Sequence, residues 1–220
     1  MLAVYIETNE SRNGPSWPYE TARVLTGFAN RLNRDTSTID HDSVENYLFL
    51  LRQYARQHTK TFAINDTAVP QGSGHVFENL HADLGYWNNR QRMYDRNDTN
   101  KNMGDDYNHS TFIDLVLSGL IGIRPQEDGS VQVRPIISPS VSGFAADHVK
   151  VRGEILTVVW DRDGTLYNGV GQGLTVLLDG TMVAHSSTIE LLVVHPINST
   201  RSINTPPSTT RFMNGITSIS

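Results

Sequence analysis

Three stretches of the chain gather the side-chain types that sugar chemistry uses: NGPSWPYE at 13–20, GHVFENLHADLGYW at 74–87 and DDYNHSTF at 105–112. Cleaving a glycosidic bond takes two carboxyl groups flanking it, flat apolar surfaces against the sugar's C–H faces, and hydrogen bonds to its hydroxyls. Glu78 is the candidate catalytic carboxylate, and Trp17, Trp87, Tyr107 and His109 are the candidate substrate contacts. Each has a plainer alternative. Glu78 could be an ordinary solvated loop acid, and Trp17, next to Pro18, a staple at a helix entry. Asp114, three residues after Thr111, reads as a capping-box acid. His75, Glu78 and His81 suggest metal ligands, but on a helix that spacing puts the two histidines on different sides, and the nearby glycines argue for a loop. No metal and no cofactor are expected.

These stretches lie in loops or at helix starts, where ligand-facing residues are commonly held. A first helix is expected from Pro18 to about Asn33, with Ala22, Leu25, Phe28, Ala29 and Leu32 along one stripe. A second is expected to be capped by Asp42 with Glu45 and to run to about His58. Its face is Val44, Tyr47, Leu48, Leu51, Tyr54 and Ala55. Residues 61–108, rich in Gly, Asn and Asp, read as a long loop system. The third helix, about 110–122, is apolar on all sides and is expected to be buried all round.

Near Arg124 and Pro125 the apolar period changes from about 3.6 to 2. Val131 and Val133, Ile155 to Trp160, and Leu174 to Leu178 read as strands. Asp179-Gly180 marks a hairpin, because that pair suits the positive φ angles of a type I′ turn. The domains expected are a helical portion at 1–124, a small antiparallel β-sandwich at 125–197 and a flexible tail at 198–220, where Ser, Thr and Pro accumulate.

Composition narrows the function classes. The 220 residues are 38% hydrophobic with 17 glycines, enough for a folded core. A net charge of -5 leaves no basic surplus for a phosphate backbone, so a neutral ligand such as sugar is favoured over nucleic acid. No stretch has the length of a membrane span, and the start has no signal-peptide core, which leaves the compartment open. There is no cysteine, which removes disulfides, thiolate catalysis and cysteine-bound zinc. Five Asn-x-Ser/Thr triplets, at Asn9, Asn65, Asn97, Asn108 and Asn198, are a small excess over the roughly three that chance would give.

In order along the chain, NGPSWPYETARVLTGFANRLN, FENLHADLGYW, DYNHSTFIDLVLSGLIGIRP, ILTVVWDRDG and GLTVLLDGTMVA resemble the C-terminal region of mannosylglycerate hydrolase-like glycoside hydrolases. These are six-hairpin enzymes similar to trehalases and to the processing α-glucosidase. The resemblance implies a mainly α plus β chain: the C-terminal part of an (α/α)6 barrel, then the sandwich. It also implies an inverting hydrolase. The family's general base sits in an element resembling E-x-x-x-P/E-x-T-G, and Glu78 with Gly85 matches that frame, with Leu84 at the threonine position and Ala82 or Asp83 where the proline or acid would stand. The family's general acid lies on an earlier helical hairpin that has no counterpart here.

Length agrees with that gap. Twelve helices of about 12 residues with connections of about 5 take roughly 200 residues before any β-domain, so three helices make only the last part of a barrel. The implied partner is a carbohydrate, with no nucleic acid or membrane, and self-association if the barrel is truncated. The alternative is a non-catalytic carbohydrate-binding or structural remnant in which Trp17, Trp87 and Tyr107 still touch sugar.

Overall fold

A computed structural model describes residues 15–34, 41–65, 67–74, 80–81, 85–101, 111–138 and 140–195. The chain divides into two compact units, Met1–Leu115 and Val116–Ser220. No described helix is long and apolar enough to cross a membrane.

In the first unit, strand β1 (Pro15–Ser16) leads into α1 (Pro18–Arg34), and α2 follows at His41–Ala55. The expected stripe of α1 is the buried one: Ala22, Leu25, Ala29 and Leu32 are buried and Phe28 is half-buried. It packs against α2, where the Phe28 ring meets Tyr47 edge-on at 5.8 Å. Helix α2 buries Val44, Tyr47, Leu48, Leu51 and Tyr54, whereas Ala55 is exposed. Two details differ from the sequence reading. His41 is already helical, so Asp42 sits inside the first turn instead of capping it, and the final stretch Arg56–His58 tightens to a 3₁₀ turn.

The larger difference lies beyond His58, where a long loop was expected. Strands β2 (Thr59–Ile64) and β3 (Thr67–Gly74) form an antiparallel hairpin, β4 is Leu80–His81, and α3 spans Asn88–Asp95. The Gln91 carboxamide holds α3 to β2: it accepts from the Ala63 N–H at 2.7 Å and donates to the Ala63 carbonyl at 3.0 Å. The Phe62 ring adds contacts to Tyr94, 5.5 Å between centroids, and to Trp87. A two-hydrogen-bond clamp of this kind leaves no apolar periodicity in the sequence.

The third helix also differs. It begins as α4 (Thr111–Asp114) and widens to a π-helical turn over Leu115–Leu120, with Ile121 N–H reaching the Val116 carbonyl at 2.9 Å. It is not buried all round: Leu115 is buried, but Ile113 is 55% exposed.

The second unit is a sandwich of two antiparallel sheets. One has the order β10-β9-β8-β7, from Gly143–Val151 (β7), Glu154–Asp161 (β8), Gly173–Leu178 (β9) and Thr181–Ser186 (β10). The other has the order β11-β6-β5, from Ile123–Pro125 (β5), Val131–Val133 (β6) and Leu192–Val194 (β11). Alternate residues of both sheets fill one core, including Ile123, Val133, Leu156, Val158, Trp160, Leu174, Val176 and Val194. That is the period-2 pattern of inward-facing positions. The β9–β10 turn has φ of +47° at Asp179 and +76° at Gly180, the two positive values a type I′ turn demands.

The opposite face of the four-stranded sheet is covered as well. Val159 and Leu177 point there and meet Tyr167 and Val170 from the loop between β8 and β9. That loop is organised by Asp161, which has no exposed surface and accepts four backbone N–H groups, from Gly164 (2.8 Å), Thr165 (3.2 Å), Leu166 (2.8 Å) and Tyr167 (3.0 Å). Burial raises the carboxyl's pKa, but those four donors outweigh it, and the net shift is downward.

Candidate functional site

The first two chemistry-bearing stretches meet at the N-terminus of α1. Strands β1 and β4 pair antiparallel, Pro15 opposite His81 and Ser16 opposite Leu80. Trp17 follows β1 directly, is half-buried, and gives its carbonyl to the Thr21 N–H at 2.8 Å as the helix starts. Pro18 is buried behind it, at the first helical position, where its missing N–H costs nothing.

The chain after β4 closes a tight turn. His81 N–H donates to the Tyr86 carbonyl at 2.8 Å and Gly85 N–H to the His81 carbonyl at 2.9 Å, while the two rings of His81 and Tyr86 stack at 5.0 Å. Gly85 has φ +68°, and a Cβ there would fall on the Gln53 side-chain oxygen at the end of α2 and lie 3.3 Å from Arg56 Cδ. The turn therefore rests on α2 through a residue without a side chain. Gly85→Ala should cost about 1 to 2 kcal/mol, from the left-handed backbone and from displacing the Gln53 oxygen that accepts from Arg56 Nη1 at 3.2 Å. Urea unfolding of the variant should show a lower midpoint with an unchanged slope.

Of the residues singled out in the sequence, Glu78, Tyr107 and His109 lie outside the described residues, as do residues 198–220. His75 also lies outside them. Trp17 stands at the β1–β4 junction. Trp87 is only 1% exposed, immediately before α3, and packs on Phe62. Contact with a sugar would require its indole to be uncovered. Among the described residues no group of His, Asp and Glu is arranged to hold a metal ion.

Sequence reasoning missed Arg90, which is 1% exposed at the start of α3 beside buried Asn88. A buried guanidinium is rare because desolvation is costly. In WNNRQRMYD it stands among polar residues and near another arginine, Arg92, which is exposed, so nothing in the sequence separates the two.

Comparison with known proteins places the strand-rich unit. Residues 123–185 match the family described as glycosyl hydrolase family 65, C-terminal domain. Over these residues the chain is similar to the C-terminal domain of family 65-type glycoside hydrolases. The matched range runs from the first residue of β5 to His185 in β10, so it takes in strands of both sheets and leaves out β11. A solved structure described as a sialidase is similar at 29% identity with a TM-score of 0.66, covering 84% of this chain and 15% of that one. The chain thus spans about 15% of the length of that relative. The family match supports the expected resemblance to the C-terminal region of a glycoside hydrolase, of family 65 type, and the likeness to a sialidase agrees with a glycosidase-related origin.

Proposed function

We propose that this chain supplies one wall of an inverting glycoside hydrolase's active site and carries its general base, Glu78, on the segment that leads into β4. The observation that carries the reading is the β1–β4 pairing, which ties the Trp17 stretch to the stretch containing Glu78. Trp17, Tyr107 and His109 would contact the sugar. Trp87 would join them only if its indole were uncovered, and otherwise would support the turn from beneath. Glu78 would take a proton from water on one face of the sugar while an acid on the opposite side protonates the leaving oxygen. The carboxyls would stand about 6.5 to 9.5 Å apart.

The first unit would be the last part of an (α/α)6 barrel, with the acid on a hairpin outside these 220 residues. Supporting this are large apolar side chains that stand exposed on its helices: Tyr19 at 64%, Phe49 at 50% and Ile113 at 55%. The mannosylglycerate hydrolase-like resemblance belongs to this reading too, as a proposal about the enzyme's relatives and not about its sugar.

The isolated 220 residues should then hydrolyse no glycoside, since a missing acid alone costs typically 10²- to 10⁴-fold, and they should self-associate through the uncovered helices. Assays on a panel of aryl glycosides, with sedimentation velocity on the same sample, test this. Robust turnover by a monodisperse monomer would overturn it.

A further inference from the structure

We propose that Asn97 is an acceptor of N-linked oligosaccharide. The site is the turn that ends α3, where Asn97, Asp98 and Thr99 form an Asn-x-Thr triplet lying wholly among the described residues. Asn97 and Thr99 are both exposed, and Asn97 has φ +48°, in the left-handed region that Asn tolerates better than most residues. The same Asn-Asp-Thr triplet occurs at the β2–β3 turn, where Asn65 is also exposed with φ +49°.

The turn keeps its shape through its backbone and Asp98. Asn97 N–H donates to the Tyr94 carbonyl at 3.0 Å, Asp98 N–H to the Met93 carbonyl at 2.9 Å, and Asn100 N–H to Asp98 Oδ1 at 2.8 Å. The Asn97 carboxamide is held at its oxygen end, where Oδ1 accepts from Lys101 Nζ at 2.8 Å. The nitrogen is the atom the reaction uses. A polyprenyl-pyrophosphate oligosaccharide is the donor: the bond from its anomeric carbon to the pyrophosphate oxygen breaks, and a new bond forms from that carbon to Asn97 Nδ2. Nδ2 gives up one proton, and polyprenyl pyrophosphate leaves. The Thr99 hydroxyl, two residues on, is the group that separates this asparagine from exposed asparagines outside such triplets. The absence of cysteine means that an oxidising secretory compartment presents no thiol to mispair. This inference does not rest on the catalytic reading of Glu78.

The test is the full chain expressed behind a cleavable secretion leader in a eukaryotic cell, with cell-associated and secreted protein both analysed. Release of glycans by peptide N-glycosidase in ¹⁸O-water converts each occupied Asn to ¹⁸O-labelled Asp, which peptide mass spectrometry locates. Label at position 97 is expected. Asn97→Asp, which suits the same backbone, and Thr99→Ala, which leaves Asn97 in place, should each remove one glycan step in gel mobility while the far-ultraviolet circular dichroism stays unchanged. An unlabelled Asn97 peptide would overturn the proposal, whether or not the other triplets carry label. So would occupancy that persists in Thr99→Ala.

Discussion

Glu78→Gln, placed in an enzyme that carries this chain together with the acid-bearing part of a barrel, is expected to lower kcat by about 10²- to 10⁴-fold, the usual contribution of one proton-transfer group. Sugar affinity should change little, because the amide keeps the shape of the carboxylate and loses only its basic lone pair. A general base acts by taking a proton from water, so a nucleophile with no proton to lose bypasses it. Azide should therefore restore turnover in the variant and yield the inverted glycosyl azide. A merely structural role for Glu78 would give neither a selective fall in kcat nor rescue. Unchanged turnover, or a fall that azide leaves untouched, would remove Glu78 from the chemistry.

The elements of this chain differ in how plainly the sequence marks them. In the sandwich, the period-2 alternation at Val131 and Val133 reports directly on which side chains enter the core, the apolar run Leu174 to Leu178 marks a strand buried on both faces, and Asp179-Gly180 announces its own turn. Helix α1 is equally plain, since its apolar stripe is the buried one. The β2–β3 hairpin was illegible because Pro70, Gly72 and Gly74 interrupt any alternation in β3. Helix α3 was illegible because it docks through Gln91 and rings instead of an apolar stripe.

The same blindness affected the candidate site. Trp87 looks like a sugar platform when read as a loop aromatic, and only its packing on Phe62 shows it buried. Arg90 looks like any surface cation. Tertiary docking, which neither composition nor period encodes, decides both. Pairings such as β1 with β4 join residues more than 60 positions apart, and nothing local marks them.

Asp161→Ala should be strongly damaging to the strand-rich unit although it removes no apolar core side chain. Its carboxylate gathers the N–H groups of Gly164, Thr165, Leu166 and Tyr167, and that loop lays Tyr167 and Val170 over Val159 and Leu177. Hydrogen bonds to a charged group contribute about 1.5 to 3 kcal/mol. Losing this set, offset by water reaching the freed amides, should cost roughly 3 kcal/mol, with the four amides exchanging hydrogen much faster than in the parent. Asp161→Asn tests the charge separately, since its amide oxygen can still accept while its NH₂ faces donors. The sign of the pH effect follows from the lowered pKa of the folded state. The carboxylate's contribution is fully present above the unfolded value of about 3.9 and is lost only as pH falls through the lower folded value. Parent stability should therefore drop steeply below about pH 4, and the acid limb should flatten in Asp161→Asn because the group that titrates is gone. Parallel acid limbs in urea titrations of the two proteins would mean that Asp161 does not set the acid stability of the loop.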